Sequence, residues 1–186
     1  MAGPPSKIML MRHAEKPPAQ GGPPFGVTVD GGRSVHALSV RGWQRAGALG
    51  LLFARGESSP PRGLAVPARL VCAHDGGATE KRRVYQTLIP LADRLGLGVE
   101  HPLPASAASL LYEEALAGMD GAVLVCWDHH GLPEIAASIP VTPTTAVPTG
   151  WAADRFDLVW VFELVPARTA YRFRVVPQLA LADDDG

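Results

Sequence analysis

The chain has 186 residues, 47% hydrophobic and 19% charged, which suits one folded domain spanning 1–186 and excludes a disordered chain. With 17 basic and 18 acidic residues the formal net charge is −1, which argues against a general nucleic-acid binder; an anion site must be built locally. The two cysteines, Cys72 and Cys126, are too few for a disulfide framework and read as reduced core residues. The first apolar run, Ile8 to Met11, is too short for a signal peptide. The longest later run, Gly121 to Trp127, is far below the ~20 residues of a membrane span. A cytoplasmic location without a membrane partner is therefore expected.

Residues 7–11 read as a short buried strand ending at Arg12-His13. Residues 17–32 are rich in Pro and Gly and form a loop. Ser39 is placed as the N-cap of a helix over 40–55, with Trp43, Ala46, Leu49 and Phe53 at helical spacing. After a connector at 56–67, residues 69–73 are a second buried strand. A helix follows, from Thr79 or Glu80 to Leu95, with Pro90 expected to kink it. Residues 106–117 read as a third helix, 122–127 as a third buried strand and 132–138 as a short helix. An irregular stretch at 140–149 precedes two alternating strands. Residues 156–164 put Leu158, Trp160 and Phe162 on one face, and 169–176 do the same for Tyr171, Phe173 and Val175. Residues 165–168 between them fit a hairpin loop, and the acidic tail at 183–186 reads as frayed.

Short apolar strands alternating with helices predict an α/β three-layer sandwich. Its central sheet should be mostly parallel, with helices on both faces and a closing β-hairpin. In open α/β sheets, ligands bind beyond the carboxyl ends of the strands. That rule selects Arg12-His13, the segment from His74 to Arg83, and Asp128-His129-His130. A guanidinium offers a planar fork of donors to two phosphate oxygens, and a neutral imidazole is a competent nucleophile. A second Arg and a second His would hold the remaining oxygens, so no metal is required. One alternative gathers His74, Asp75, Asp128, His129 and His130 as a zinc or iron cluster, but the usual ligand spacings are missing. His36 and His101 read as surface residues, and Trp43, Trp151 and Trp160 as packing. Lys16 either meets substrate anions or faces solvent.

The segment Leu10-Met11-Arg12-His13-Ala14-Glu15-Lys16 resembles the Arg-His signature of the histidine phosphatase, or phosphoglycerate mutase-like, superfamily. Leu38-Ser39, Gly42, Gln44 and Ala46 resemble its Leu-Ser-x-x-Gly-x-x-Gln-Ala helix start, with Gln44 one place early. Thr79-x-x-x-Arg83 with Gln86-Thr87 resembles its Ser-x-x-x-Arg-x-x-Gln-Thr segment; Arg82 is the rival to Arg83. Val123 to His129 resembles the strand that delivers the family's second His.

The resemblance implies a phosphohistidine mechanism with no cofactor. His13 takes the phosphoryl group, while Arg12, Arg83 and His129 hold its oxygens. Glu15 and Asp128 are the candidate proton donors, although strand alternation would turn Asp128 away from His129 unless the strand end bends. The substrate is then a small phosphomonoester. The alternatives are a phosphohistidine or phosphoramidate, including a phosphoprotein partner, and a catalytically weak phosphate-ligand binder on the same fold. Ala14 stands where phosphoglycerate mutases carry Gly, so hydrolysis is favoured over mutase activity. His130 stands where the acid-phosphatase branch carries Asp.

Overall fold

The computed structural model describes residues 3–20, 22–54, 60, 63–74, 82–143, 146–166 and 169–184, with the backbone alone for Arg82. A six-stranded sheet runs through these residues in the order β5-β4-β6-β1-β7-β8. The strands are β1 (Lys7–Arg12), β4 (Arg69–Cys72), β5 (Val99–Glu100), β6 (Ala122–Trp127), β7 (Leu158–Leu164) and β8 (Tyr171–Pro177). The first four are mutually parallel, and β7 and β8 close the sheet antiparallel beside β1. Strand β6 is buried along its whole length and β1 at every position but Lys7. That is the mark of strands covered on both faces, and it explains their unbroken apolar runs.

Helix α1 (Val40–Phe53) packs on α2 (Arg82–Leu95), and α2 lies against β4 and β6. Helices α3 (Leu111–Glu114) and α4 (Gly131–Ser138) form a second group that reaches β1 through α4. The fold is thus the expected mixed α/β sandwich with a mostly parallel central sheet. Among the described residues no helix is long and apolar enough to cross a membrane. Both cysteines are buried and form no disulfide, side by side in register on β4 and β6.

Ser39 caps α1 as expected, its side chain accepting from the Gly42 N–H. Helix α2 runs through Pro90 without ending there. The expected start of this helix at Thr79 or Glu80 lies outside the described residues.

Three local expectations need correction. The loop at 17–32 contains β2 (Gly26–Val27), which pairs with β3 (Leu38–Ser39), so part of it is a hairpin excursion. The helix expected over 106–117 is broken. A 3-10 turn (Ala105–Leu110), α3 and a second 3-10 turn (Leu116–Gly118) follow one another, with Ala107 outside helical geometry. Ala108, Leu111 and Leu116 are all buried on one side, and the breaks fall at Ala107 and Ala115, whose backbone leaves helical geometry. In the last strand the unbroken pairing with β7 keeps Tyr171, Phe173 and Val175 on one face, with Tyr171 buried and Val175 43% exposed at the sheet edge. Finally, the acidic tail is not frayed through Asp184, which docks on α1 as described below.

Candidate active site

The carboxyl ends of β4, β6 and β1 lie side by side, and the sequence places its polar clusters there. Arg12 is the last residue of β1, paired with Trp127 of β6. His13 extends that ladder one step, its N–H donating to the Trp127 carbonyl at 3.1 Å. Asp128 and His129 therefore leave β6 beside the residues that leave β1.

Arg12 is 1% exposed, yet its guanidinium is only partly satisfied. Nη1 donates to the Ala153 carbonyl, and the Phe156 ring lies 4.0 Å from Cζ. Nε and Nη2 are buried without a hydrogen-bond partner among the described residues. Burial pulls the Arg12 pKa down to about 10, partly opposed by Asp128; Arg83 lowers it further, and Asp154 and Glu15 raise it. A buried cation with unmet donors is costly unless an anion completes it.

His13 is 5% exposed. Its Nδ1 lies 2.7 Å from the Ala14 carbonyl, which can only accept. Nδ1 therefore carries the proton and Nε2 keeps its lone pair. Burial pushes the His13 pKa down to about 3, against the Ala14 bond that raises it, with Arg12 and Arg83 lowering it further and Asp128 raising it. The ring is accordingly neutral at pH 7, as a nucleophile must be. Phe156 packs at 6.1 Å between ring centroids.

Arg83 sits in the first turn of α2. Its Nη2 donates to the Val35 carbonyl at 2.6 Å, and its Nε is a third buried donor without a partner among the described residues. Burial lowers its pKa. The helix that carries it is tied to the segment that follows β1. Thr87 Oγ1 accepts from the Ala14 N–H at 2.9 Å and donates to the Arg83 carbonyl at 2.7 Å. Gln86 Oε1 accepts from Leu38 N–H at 2.9 Å. The charges of Arg12 and Arg83 are both felt at His13 and at Lys16, an exposed rim residue whose pKa falls, mainly through partial burial.

His129 is half-buried, its pKa lowered by burial and then by Arg12 and His130. Its ring stacks on exposed His130 with centroids 3.9 Å apart. Asp128 turns back on its own chain. Its Oδ1 accepts from the His130 and Gly131 amides, each at 3.1 Å, and so closes the turn that leads into α4. Its charge is nonetheless felt by Arg12, His13 and His129, so strand alternation does not remove it from the site. The chain bends there. Gly131 permits the bend, since a Cβ at that position would lie 2.4 Å from Trp127 Cδ1.

Glu15 is buried and ion-paired. Its Oε1 accepts from Arg45 Nε and Nη2 at 2.9 and 2.8 Å and lies 3.3 Å from Arg41 Nε. Its Oε2 has no partner among the described residues.

Among the described residues no three His, Cys, Asp or Glu side chains gather as a metal ion would need. Of the alternative metal cluster, His74 is exposed at the end of β4, and Asp75 lies outside the described residues.

Three contributors were not read from the sequence. Ala153 and Phe156 reach Arg12 from a loop anchored by Trp151, which stacks 4.7 Å from Trp160 and donates to the Arg155 carbonyl. Phe156 precedes its strand instead of opening it. The third is Arg45, which is buried where Gln44, the residue of the motif, is exposed. Its position three residues beyond Gly42 was the available signal. Neither a scan against protein-family models nor a search of curated proteins finds a match to this chain.

Proposed function

We propose that the chain is a metal-independent phosphatase that hydrolyses a small phosphomonoester through a phosphohistidine on His13. One observation carries this reading: the buried donors Arg12 Nε and Nη2, without a partner among the described residues, adjoin a neutral imidazole whose Nε2 is unprotonated. Such donors suit the negative charge spread over phosphoryl oxygens in transfer. In the first step Nε2 forms a bond to phosphorus while the P–O bond to the leaving group breaks. In the second, water attacks phosphorus, the P–N bond breaks and inorganic phosphate leaves. Arg12, Arg83 and His129 hold the oxygens throughout. Asp128 is the better supported proton donor, because its charge is felt by Arg12, His13 and His129, whereas Glu15 is clamped by two arginines.

The test is turnover of p-nitrophenyl phosphate with EDTA present, set beside His13→Ala. Turnover that persists in EDTA, is lost in the variant and leaves an acid-labile phosphoenzyme supports the mechanism. Equal turnover in His13→Ala overturns it.

The engagement of both carboxylates favours a second reading, a phosphoramidate or phosphohistidine substrate. A leaving nitrogen takes its proton more readily than an alkoxide, so it depends less on an enzyme acid. Hydrolysis of phosphoramidate or a phosphohistidine peptide with no turnover of an alkyl phosphate would select it.

A further inference from the structure

Outside the phosphate pocket, on the far side of the Ala14–Glu15 peptide, lies a buried charge network that the proposed chemistry does not use. Arg45 is 3% exposed and donates in two directions. Toward the nucleophile loop it reaches Glu15 Oε1 through Nε and Nη2. Toward the C-terminus it forks onto Asp184, with Nη1 to Oδ2 at 2.9 Å and Nη2 to Oδ1 at 2.7 Å. Gln178 Oε1 accepts from Nη1 as well. Asp184 is fixed in turn by the Ala180 and Leu181 amides, at 2.8 and 3.1 Å. Burial opposes the Arg45 charge, but the bonds to Asp184 and Glu15 more than offset it and hold the guanidinium above its usual pKa.

The backbone of Glu15 is gripped by the same helix. Its carbonyl accepts from Ser39 N–H at 2.9 Å and Ser39 Oγ at 3.1 Å. A Cβ on Gly42 would stand 2.3 Å from that carbonyl oxygen, so only glycine lets α1 come this close. On the other side, the preceding His13–Ala14 peptide is pinned through the Ala14 N–H, which donates to Thr87 Oγ1. The Ala14 carbonyl, which sets the His13 tautomer, belongs to the peptide held between these two grips.

We infer that Arg45 and Asp184 are positioning residues, which hold Glu15, and through the Ala14–Glu15 peptide fix the His13 ring with Nε2 free. This rests on the phosphohistidine reading for its consequence in turnover, but the tautomer itself can be measured without any activity.

The experiment is nitrogen NMR of the full chain labelled at histidine, with the His13 signals assigned by their loss in His13→Asn. Wild type should show a single tautomer protonated at Nδ1. In Arg45→Met, with cooperative unfolding retained, the His13 signals should shift toward a tautomer average. The kcat on p-nitrophenyl phosphate should fall roughly 10–100-fold, the scale of a small misplacement of a reacting group. KM should hold within about threefold, since the phosphate donors are untouched. Arg45→Lys should recover part of both readouts. If Arg45→Met does not fold, Asp184→Asn, which keeps the shape and weakens the fork, should move them in the same direction and less. An unchanged His13 tautomer in every folded variant overturns the inference. A protein with the NMR behaviour described but no phosphatase turnover leaves the inference standing and removes the function proposed above.

Discussion

The two halves of the candidate pocket are built differently. The half from β1 and α2 carries Arg12, His13 and Arg83. Arg12 and His13 are nearly inaccessible, and Thr87 ties their strand to the helix of Arg83. The half from β6 and α4 carries Asp128, His129 and His130, which are half-buried or exposed. Its ties include bonds from the His130 and Gly131 amides to the Asp128 side chain and the contact of one histidine ring with the other. The buried half has donors without partners among the described residues; the rim half has access to solvent. Charge stabilisation works best in a dry, preorganised setting, whereas groups that meet entering water and a departing group need exposure.

The largest expected effect lies in the buried half. Arg12→Met should lower kcat/KM for an aryl phosphate by about 10²–10⁴-fold, the range for loss of a preorganised donor. The same change should stabilise the phosphate-free protein by about 1–2 kcal/mol, because a buried cation with unmet donors is replaced by a side chain that needs none. Inorganic phosphate should raise the unfolding temperature of wild type and leave that of Arg12→Met unchanged. Steady-state kinetics with thermal unfolding in phosphate and in chloride checks both. A loss of stability in Arg12→Met without phosphate would mean that the contacts to Ala153 and Phe156 satisfy the guanidinium, and the contrast between halves would fail.

The same contrast explains what was legible in the sequence. The buried strands announced themselves through unbroken apolar runs, and β6 spans the expected 122–127. Arg12 and His13 were legible because they end such a run, and Ser39 because capping chemistry is local. The two-residue strands β2, β3 and β5 were not, since so short a pairing is decided by tertiary neighbours. Nor did any local pattern mark Ala153 or Phe156, which approach Arg12 across more than 140 residues of chain. Arg45 was hidden for a related reason. A charged residue within an amphipathic helix reads as solvated until its partners, Glu15 and Asp184, are brought from both ends of the chain.

In the rim half a smaller effect is expected. His129→Asn removes one donor from a position that solvent also reaches, so kcat/KM should fall about 10–100-fold, below the loss in Arg12→Met. Little change in unfolding temperature is expected, because a half-exposed residue gives up few contacts. A loss equal to that of Arg12→Met would place the two halves on the same footing and break the comparison.

The effect that separates the halves without turnover is the pH dependence of stability. His13 has its pKa pushed down to about 3, whereas an unfolded histidine titrates near 6.5. The unfolded chain therefore takes up a proton at His13 that the folded chain refuses. Stability should fall as pH drops below about 6.5 and keep falling toward 3, with a slope approaching ~1.4 kcal/mol per pH unit from this residue. Carboxylate pairs such as Asp184 with Arg45 add loss in the same direction at lower pH, because their folded pKa is depressed too. The comparison that isolates His13 is thus wild type against His13→Asn between pH 4.5 and 6.5, by denaturant unfolding, where the variant should show the shallower slope. His129→Asn should change the slope less, as its pKa is lowered in a more exposed setting. Saturating phosphate should flatten the wild-type slope, because an anion beside the imidazole favours its protonated form. Equal slopes in wild type and His13→Asn would show that His13 is solvated, and would take from the buried half the property that distinguishes it.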